Sequence, residues 1–442
     1  MQLDLPHCKE LVRASARPVF RGNVDQVSGV MVEARGVPAA LGEMCRIDRG
    51  RLGTINAEVI GFRGQTTLLM PHGDLEGIAP MQRVMALGKP FTIPVHNSLL
   101  GRTLDGYGQP IDSKGAIQGM QRTVRRNAPA ALSREPIREP LQTGLRAIDG
   151  MTTLGRGQRV GIFAGSGVGK SSLLGQVTRG TDADVVIVCL VGERGREVKS
   201  FVDETLGEEG RKKAVLVVAT SDRAPIERFL APFTAVTIAE HFRDQGLGVL
   251  LVMDSVTRFA LASREIGLAA GEPPTVRGFP PSFFATIPKI VERMGRTQKG
   301  SITGLLTILL DADDPNDPVS DTMRGLLDGH IFLSRDLAQG GHFPAIDVLG
   351  SLSRLMTDLA DGEHQLAARR VRELLAAYQE GKDLIEVGAY RAGTNPALDD
   401  AVLRMPAILQ FLRQEQNEMS SVQETRELLS LLTQPMTGQG AI

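Results

Sequence analysis

One segment constrains this chain more than any other: the apolar run Arg159-Val-Gly-Ile-Phe, the loop Ala164-Gly-Ser-Gly-Val-Gly169-Lys170-Ser171, and the helix-forming stretch that begins at Ser171-Ser172-Leu-Leu-Gly. A glycine-rich loop that follows a strand and opens a helix is a phosphate-binding device. Gly165, Gly167 and Gly169 let backbone N–H groups, with those of Ser166 and Val168, turn inward around phosphate oxygens, and the helix N-terminus at Ser172 adds partial positive charge. Lys170 has the reach for β and γ phosphates, and the Ser171 hydroxyl suits a magnesium ion. The pattern departs from its usual form at one place, where Ala164 stands for the first glycine, a position that accepts a methyl at negative φ. A plain glycine turn before a core helix would not require a lysine here.

The rest of the chain sorts into blocks around this loop. Residues 1–18 form an arm in which HCKELVRASA reads as a short amphipathic helix ended by Pro18. Residues 19–96 carry short β-branched stretches (GVMVEA, EVIGFR, TTLLM, FTIPV) broken by Gly, Pro and Asn, the spacing of a small β-barrel or sandwich. Residues 97–139 are crowded with Gly, Pro and Asp and predict an ordered connector. From about Pro140 to 357, apolar runs alternate with helical segments, which predicts an α/β unit with a parallel sheet buried on both faces. Residues 358–442 hold helix-forming runs without strands between them, the last reaching through DDAVLRMPAILQFLRQEQNEMS and QETRELLSLLTQ, and predict a helical domain.

Two carboxylates belong with the loop. Leu250-Leu-Val-Met-Asp254 is an apolar strand ending in an acid, where a second magnesium ligand acting through water is needed; Asp244 lacks such a strand. Glu193 follows the strand VVIVCLV and falls at the same sheet edge as the loop if the strands are neighbours, so it is a candidate to polarise an attacking water. Spacing alone does not separate it from Arg196 and Glu197 beside it.

GRTLDGYGQPID, GIFAGSGVGKSSLLG, LVGERGREV, LLVMDSVTRFA, REIGLAAGEPPTVRGFPPSFFATIPKIVER, DDPNDPVSDTMRGLLDGHIFLSR and FPAIDVLGSLSR follow one another in this order, and together they resemble the hexameric ATPases related to the rotary ATP synthase β subunit. Within that family the resemblance is to the flagellum-specific type III protein export ATPases. It implies a RecA-like P-loop core between an N-terminal β-barrel and a C-terminal helical domain, with ATP and Mg2+ as ligands. It implies Lys170 and Ser171 at phosphate and magnesium, Glu193 as catalytic glutamate with Arg194 beside it, and Asp254 as the Walker B carboxylate. Arg258 matches an active-site arginine, Phe343 the aromatic that stacks on adenine, and Arg354 the arginine finger that enters a neighbouring subunit. Without the resemblance Phe343 reads as core and Arg354 as a surface arginine. Tyr390 matches loosely a residue near the base. Implied partners are a homo-hexamer, a stator-like regulatory subunit at the arm, and export gate, chaperone and substrate proteins, with peripheral contact at the cytoplasmic face of the inner membrane.

Composition closes other routes. Fifty Lys and Arg against fifty-one Asp and Glu leave a net charge of −1, and the fifteen Phe and three Tyr come with no Trp; this disfavours a nucleic-acid motor that needs a basic, aromatic platform. Three cysteines without paired spacing argue against a disulfide framework or zinc site, and neither a leader peptide nor a membrane span is predicted. A catalytically silent nucleotide-binding subunit would be expected to lack Glu193. The virulence-type injectisome ATPase is the alternative with the same chemistry; the loop AGSGVGKS favours the flagellar branch.

Overall fold

The computed structural model describes residues 21–310 and 317–434; the N-terminal arm expected over 1–18 lies outside them. Strands β1 (Arg21–Ser28), β2 (Met31–Arg35), β3 (Glu43–Asp48), β4 (Thr54–Arg63), β5 (Thr66–Pro71) and β6 (Arg83–Pro90) close into a barrel in the order β1-β2-β5-β4-β3-β6. Alternation makes it: Val24, Val32, Ala34, Cys45, Ile47, Ala57, Leu69 and Val84 point inward and fill a small core of their own.

The connector is more structured than its composition suggests. β7 (Thr92–Val95) pairs with β9 (Met120–Thr123), and β8 (Thr103–Asp105) joins the central sheet as its edge. Side chains, which no periodicity reveals, hold it: Arg102 donates to both oxygens of Asp112, at 2.7 and 2.9 Å, and to the Gly115 carbonyl. A short ribbon, β10 (Pro140–Leu141) with β11 (Leu154–Gly155), then leads into the core.

The central sheet contains β12 (Arg159–Ala164), β13 (Val185–Val191), β14 (Ala214–Ala219), β15 (Gly248–Asp254), β16 (Gly295–Arg296), β17 (Ser301–Leu309), β18 (Gly329–Leu333) and β19 (Ile346–Ser353) besides β8. Its order is β19-β18-β12-β17-β15-β13-β14-β8, parallel throughout that path except for β19, which runs antiparallel to β18. β13, β14 and β15 are buried along almost every residue because helices cover both faces. Helix α1 (Lys170–Gly180) follows β12, while α2 (Pro225–Arg243), α3 (Val256–Ala269) and α4 (Pro281–Val291) pack the other apolar core with Phe229, Phe233, Phe259 and Phe283. No helix among the described residues is long and apolar enough to cross a membrane.

Three helices, α5 (Gly362–Glu386), α6 (Pro396–Leu412) and α7 (Val422–Thr433), form the C-terminal unit, each started by a side-chain cap from Asp361, Asn395 or Ser421. One sequence expectation is corrected here: α6 stops at Leu412 instead of continuing through RQEQNEMS. Gln414 is drawn out of helical geometry by long-range bonds. Its amide N–H donates to the Phe343 carbonyl at 2.9 Å, its side chain accepts from the Arg146 N–H at 2.9 Å, and it donates to the Gly144 carbonyl at 2.7 Å.

Candidate active site

Parallel register puts the pieces of the site at one edge. Ala164 at the end of β12 lies beside Leu309 of β17 and Leu333 of β18, and Asp254 at the end of β15 lies beside Leu190 of β13. The loop Gly165–Gly169, Asp254 and Glu193 therefore all emerge past the carboxyl ends of neighbouring strands, where open parallel sheets bind ligands. Gly167 and Gly169 have φ of 80° and 87°, a region that side chains resist, so these glycines give the loop its inward turn. Val168 anchors the loop in the core, while Ser166, Ser171 and Ser172 are exposed at its mouth.

The lysine and the two acids converge. Lys170 Nζ donates to Asp254 Oδ1 and stands 3.5 Å from Glu193 Oε1. All three side chains are at most 13% exposed, so their charges act in a medium where water screens little. Burial pushes the Glu193 carboxyl up to about 7, the nearby Lys170 ammonium opposing this and the Asp254 carboxylate adding to it. Arg258, in the first turn of α3, is held by its N–H on the Ser255 hydroxyl at 3.3 Å, and its side chain lies on Gly192, where an added Cβ would sit 3.0 Å from Arg258 Cβ. Arg258 thus acts electrostatically on Glu193. Arg194 follows Glu193 in the chain, and its side chain is exposed and lies 3.9 Å from Glu197.

Phe343 is also brought to the loop, with 46% of it exposed and its ring so placed that a Cβ on Gly169 would lie 3.3 Å away. It walls a cavity of about 350 Å3 together with Val168, Ser172, Pro344, Arg413 and Gln416. Sequence reasoning missed Arg413–Gln416, since those residues read as helix and are brought here by long-range bonds: those of Gln414, that of Gln176 to the Glu415 carbonyl at 3.0 Å and that of Arg179 to the Gln416 carbonyl at 2.8 Å. Tyr390 is placed elsewhere: its hydroxyl donates to Asp399 at the start of α6, and it does not line the cavity.

Arg354 is far from this edge. Ile346 of β19 pairs with Leu333 at the loop end of the sheet, whereas Ser353 pairs with Gly329 at the opposite end, and the Arg354 N–H donates to the Asp328 carbonyl. Measured along β18, whose pairing with β19 is interrupted by a bulge, that is four residues of strand, roughly 13 Å at about 3.3 Å each.

The residues fit a magnesium nucleotide. The described residues hold no group of three or more ligating side chains, but Ser171 and Asp254 offer the one hydroxyl and one carboxylate that suit Mg2+ when phosphates and water supply the rest.

The nucleotide-binding domain model of the ATP synthase alpha/beta family matches residues 144–353, and the C-terminal domain model of the type III secretion ATPase EscN matches 360–430. The chain belongs to the ATP synthase alpha/beta family. It is 49% identical to a type 3 secretion system ATPase of Xanthomonas euvesicatoria, over 93% of this chain and 94% of that one. It is likewise 49% identical to a flagellum-specific ATP synthase of Pseudomonas aeruginosa, over 96% and 95%. The assembled ATPase EscN of enteropathogenic E. coli superposes with a TM-score of 0.89 at 44% identity, covering 93% of this chain and 99% of that one. Within the family the chain falls among the flagellar and type III secretion ATPases, and it is an ATP hydrolase.

Proposed function

We propose that this ATPase drives the flagellar type III protein export apparatus, working as a homo-hexamer at the cytoplasmic face of the membrane to release export substrates from chaperones into the gate. The convergence of Lys170, Glu193 and Asp254 at the mouth of the glycine loop carries the catalytic part of this reading. Lys170 leaves Asp254 to meet the β and γ phosphates, and the loop amides hold the phosphate oxygens. Ser171 and Asp254 would hold Mg2+, which would supply neutralising charge to the phosphates. Glu193 accepts a hydrogen bond from water and orients it in line with the γ phosphorus, with Arg258 fixing its charge. Phe343 stacks on the base. Arg354 reaches the phosphates held by the next subunit, a role its remoteness from its own loop supports, as does the assembled state of EscN. Arg194 serves beside Glu193 without touching the cluster. The arm, residues 1–18, docks a stator-like regulatory subunit or acidic lipid, and nucleic acid is no partner.

Relatives of equal identity are named one for the flagellum and one for a type 3 secretion system, so cargo needs a functional test. The gene should restore swimming to a strain lacking its flagellar export ATPase. Failure there, with restored effector secretion in an injectisome ATPase deletion strain, would transfer the reading to the injectisome.

A further inference from the structure

β17 carries a polar residue where its neighbours demand apolar ones. Thr307 is completely buried in the run Ser301–Leu309, between β12 and β15. A hydroxyl without contact to water must find an acceptor or cost the protein several kcal/mol. Two oxygens lie near Thr307 Oγ1: Asp254 Oδ1 at 2.7 Å and the Met253 carbonyl at 3.3 Å. The hydroxyl has one proton, and the shorter, charge-assisted contact to the carboxylate takes it.

We infer that Thr307 is the positioning residue of the Asp254 carboxylate, holding it aimed at the magnesium ion of the bound nucleotide. This rests on the magnesium nucleotide reading of the site. Lys170 and Thr307 donate to the same oxygen, Oδ1, and so neither occupies Oδ2. When Lys170 turns to the phosphates it gives up its bond to Asp254. Thr307 then keeps Oδ1 pinned from the strand next door, and the carboxylate does not rotate as its cationic partner leaves. A valine at 307 has the same shape but no proton to offer. Asp254 would lose its fixed orientation at the moment the ion needs it, and such outer-shell losses cost roughly ten- to a hundredfold in metal affinity.

The experiment measures binding of a fluorescent ADP to the intact protein, with titrated Mg2+ and with EDTA, for parent, Thr307→Val and Thr307→Ser. Thr307→Val should raise the Mg2+ concentration for half-maximal enhancement about tenfold or more and leave affinity in EDTA unchanged. Thr307→Ser, which keeps the donor and loses the methyl, should track the parent. Should Thr307→Val not purify folded, Thr307→Cys replaces it, and its weak S–H donor should give a smaller shift of the same sign. An unshifted Mg2+ midpoint, an equal loss in EDTA, or a serine variant as impaired as the valine one would overturn the assignment. A parent whose nucleotide affinity ignores Mg2+ would overturn the site reading itself and Thr307 with it.

Discussion

Glu193 carries the water-orienting step of the proposed mechanism, and its environment makes that testable. Glu193→Gln keeps shape and removes charge, so turnover should fall by about a hundredfold or more while fluorescent-nucleotide affinity stays near the parent's. Because burial holds the carboxyl near 7 in the free enzyme, the anion is lost as pH drops through that value. The expected outcome is a kcat/KM that is flat above pH 7 and falls about tenfold per unit below it, since this ratio reports the free enzyme. In Glu193→Gln that acid limb should vanish. Phe343→Ala should weaken ATP and GTP alike, by about fivefold, because a stacked ring contributes on the order of 1 kcal/mol and does not read base edges. Phe343→Tyr should bind like the parent. Lys170, Ser171 and Asp254 were legible in local sequence because a phosphate loop and a strand-end acid are local patterns. Phe343 and Arg354 were legible only through resemblance, since nothing adjacent to them in sequence says what they face.

At the scale of elements, buried strands announce themselves as apolar runs, and the central sheet and its helices follow from that. What stayed hidden is held by side chains reaching across the chain. β8 enters the sheet from a stretch rich in turn residues because the Arg102–Asp112 pair folds the connector back on itself. The break of α6 at Leu412 has the same origin, and Arg146 is its centre. Buried before β11, Arg146 donates through Nε to the Phe411 carbonyl at 2.8 Å and through Nη1 to Glu418 and, at 3.2 Å, to Ser420. Its guanidinium joins the nucleotide domain to the segment that walls the Phe343 cavity. Arg146→Ala should therefore do two things together: cost about 2–3 kcal/mol of stability, read as a lower denaturation midpoint, and raise KM for ATP by loosening Arg413–Gln416. Arg146→Lys, a single point charge in place of a fork, should recover only part of either. A destabilised variant with unchanged KM would separate the anchor from the pocket.

For the whole molecule, the decisive feature is the separation between the glycine loop and Arg354. They stand at opposite ends of the strands in one subunit, joined by the length of β19, so a single chain cannot close its own site with this arginine. If Arg354 completes a neighbour's site, hydrolysis belongs to the assembly, and specific activity should climb steeply as protein concentration passes through the assembly range. An arginine finger supplied in trans raises kcat by roughly a thousandfold or more. Arg354→Ala should assemble and bind ATP yet turn over at about that much lower rate. Lys170→Ala should be silent as well, for lack of its own phosphate contact. Mixed before assembly, the two inactive variants form some interfaces that pair an intact Lys170 with an intact Arg354, and activity should reappear in proportion to those interfaces. Light scattering and turnover measured on the same dilution series check this. Activity that stays flat while hexamers form, or a mixture as silent as its parts, would return Arg354 to a structural role at the sheet edge, where its N–H already holds the Asp328 carbonyl.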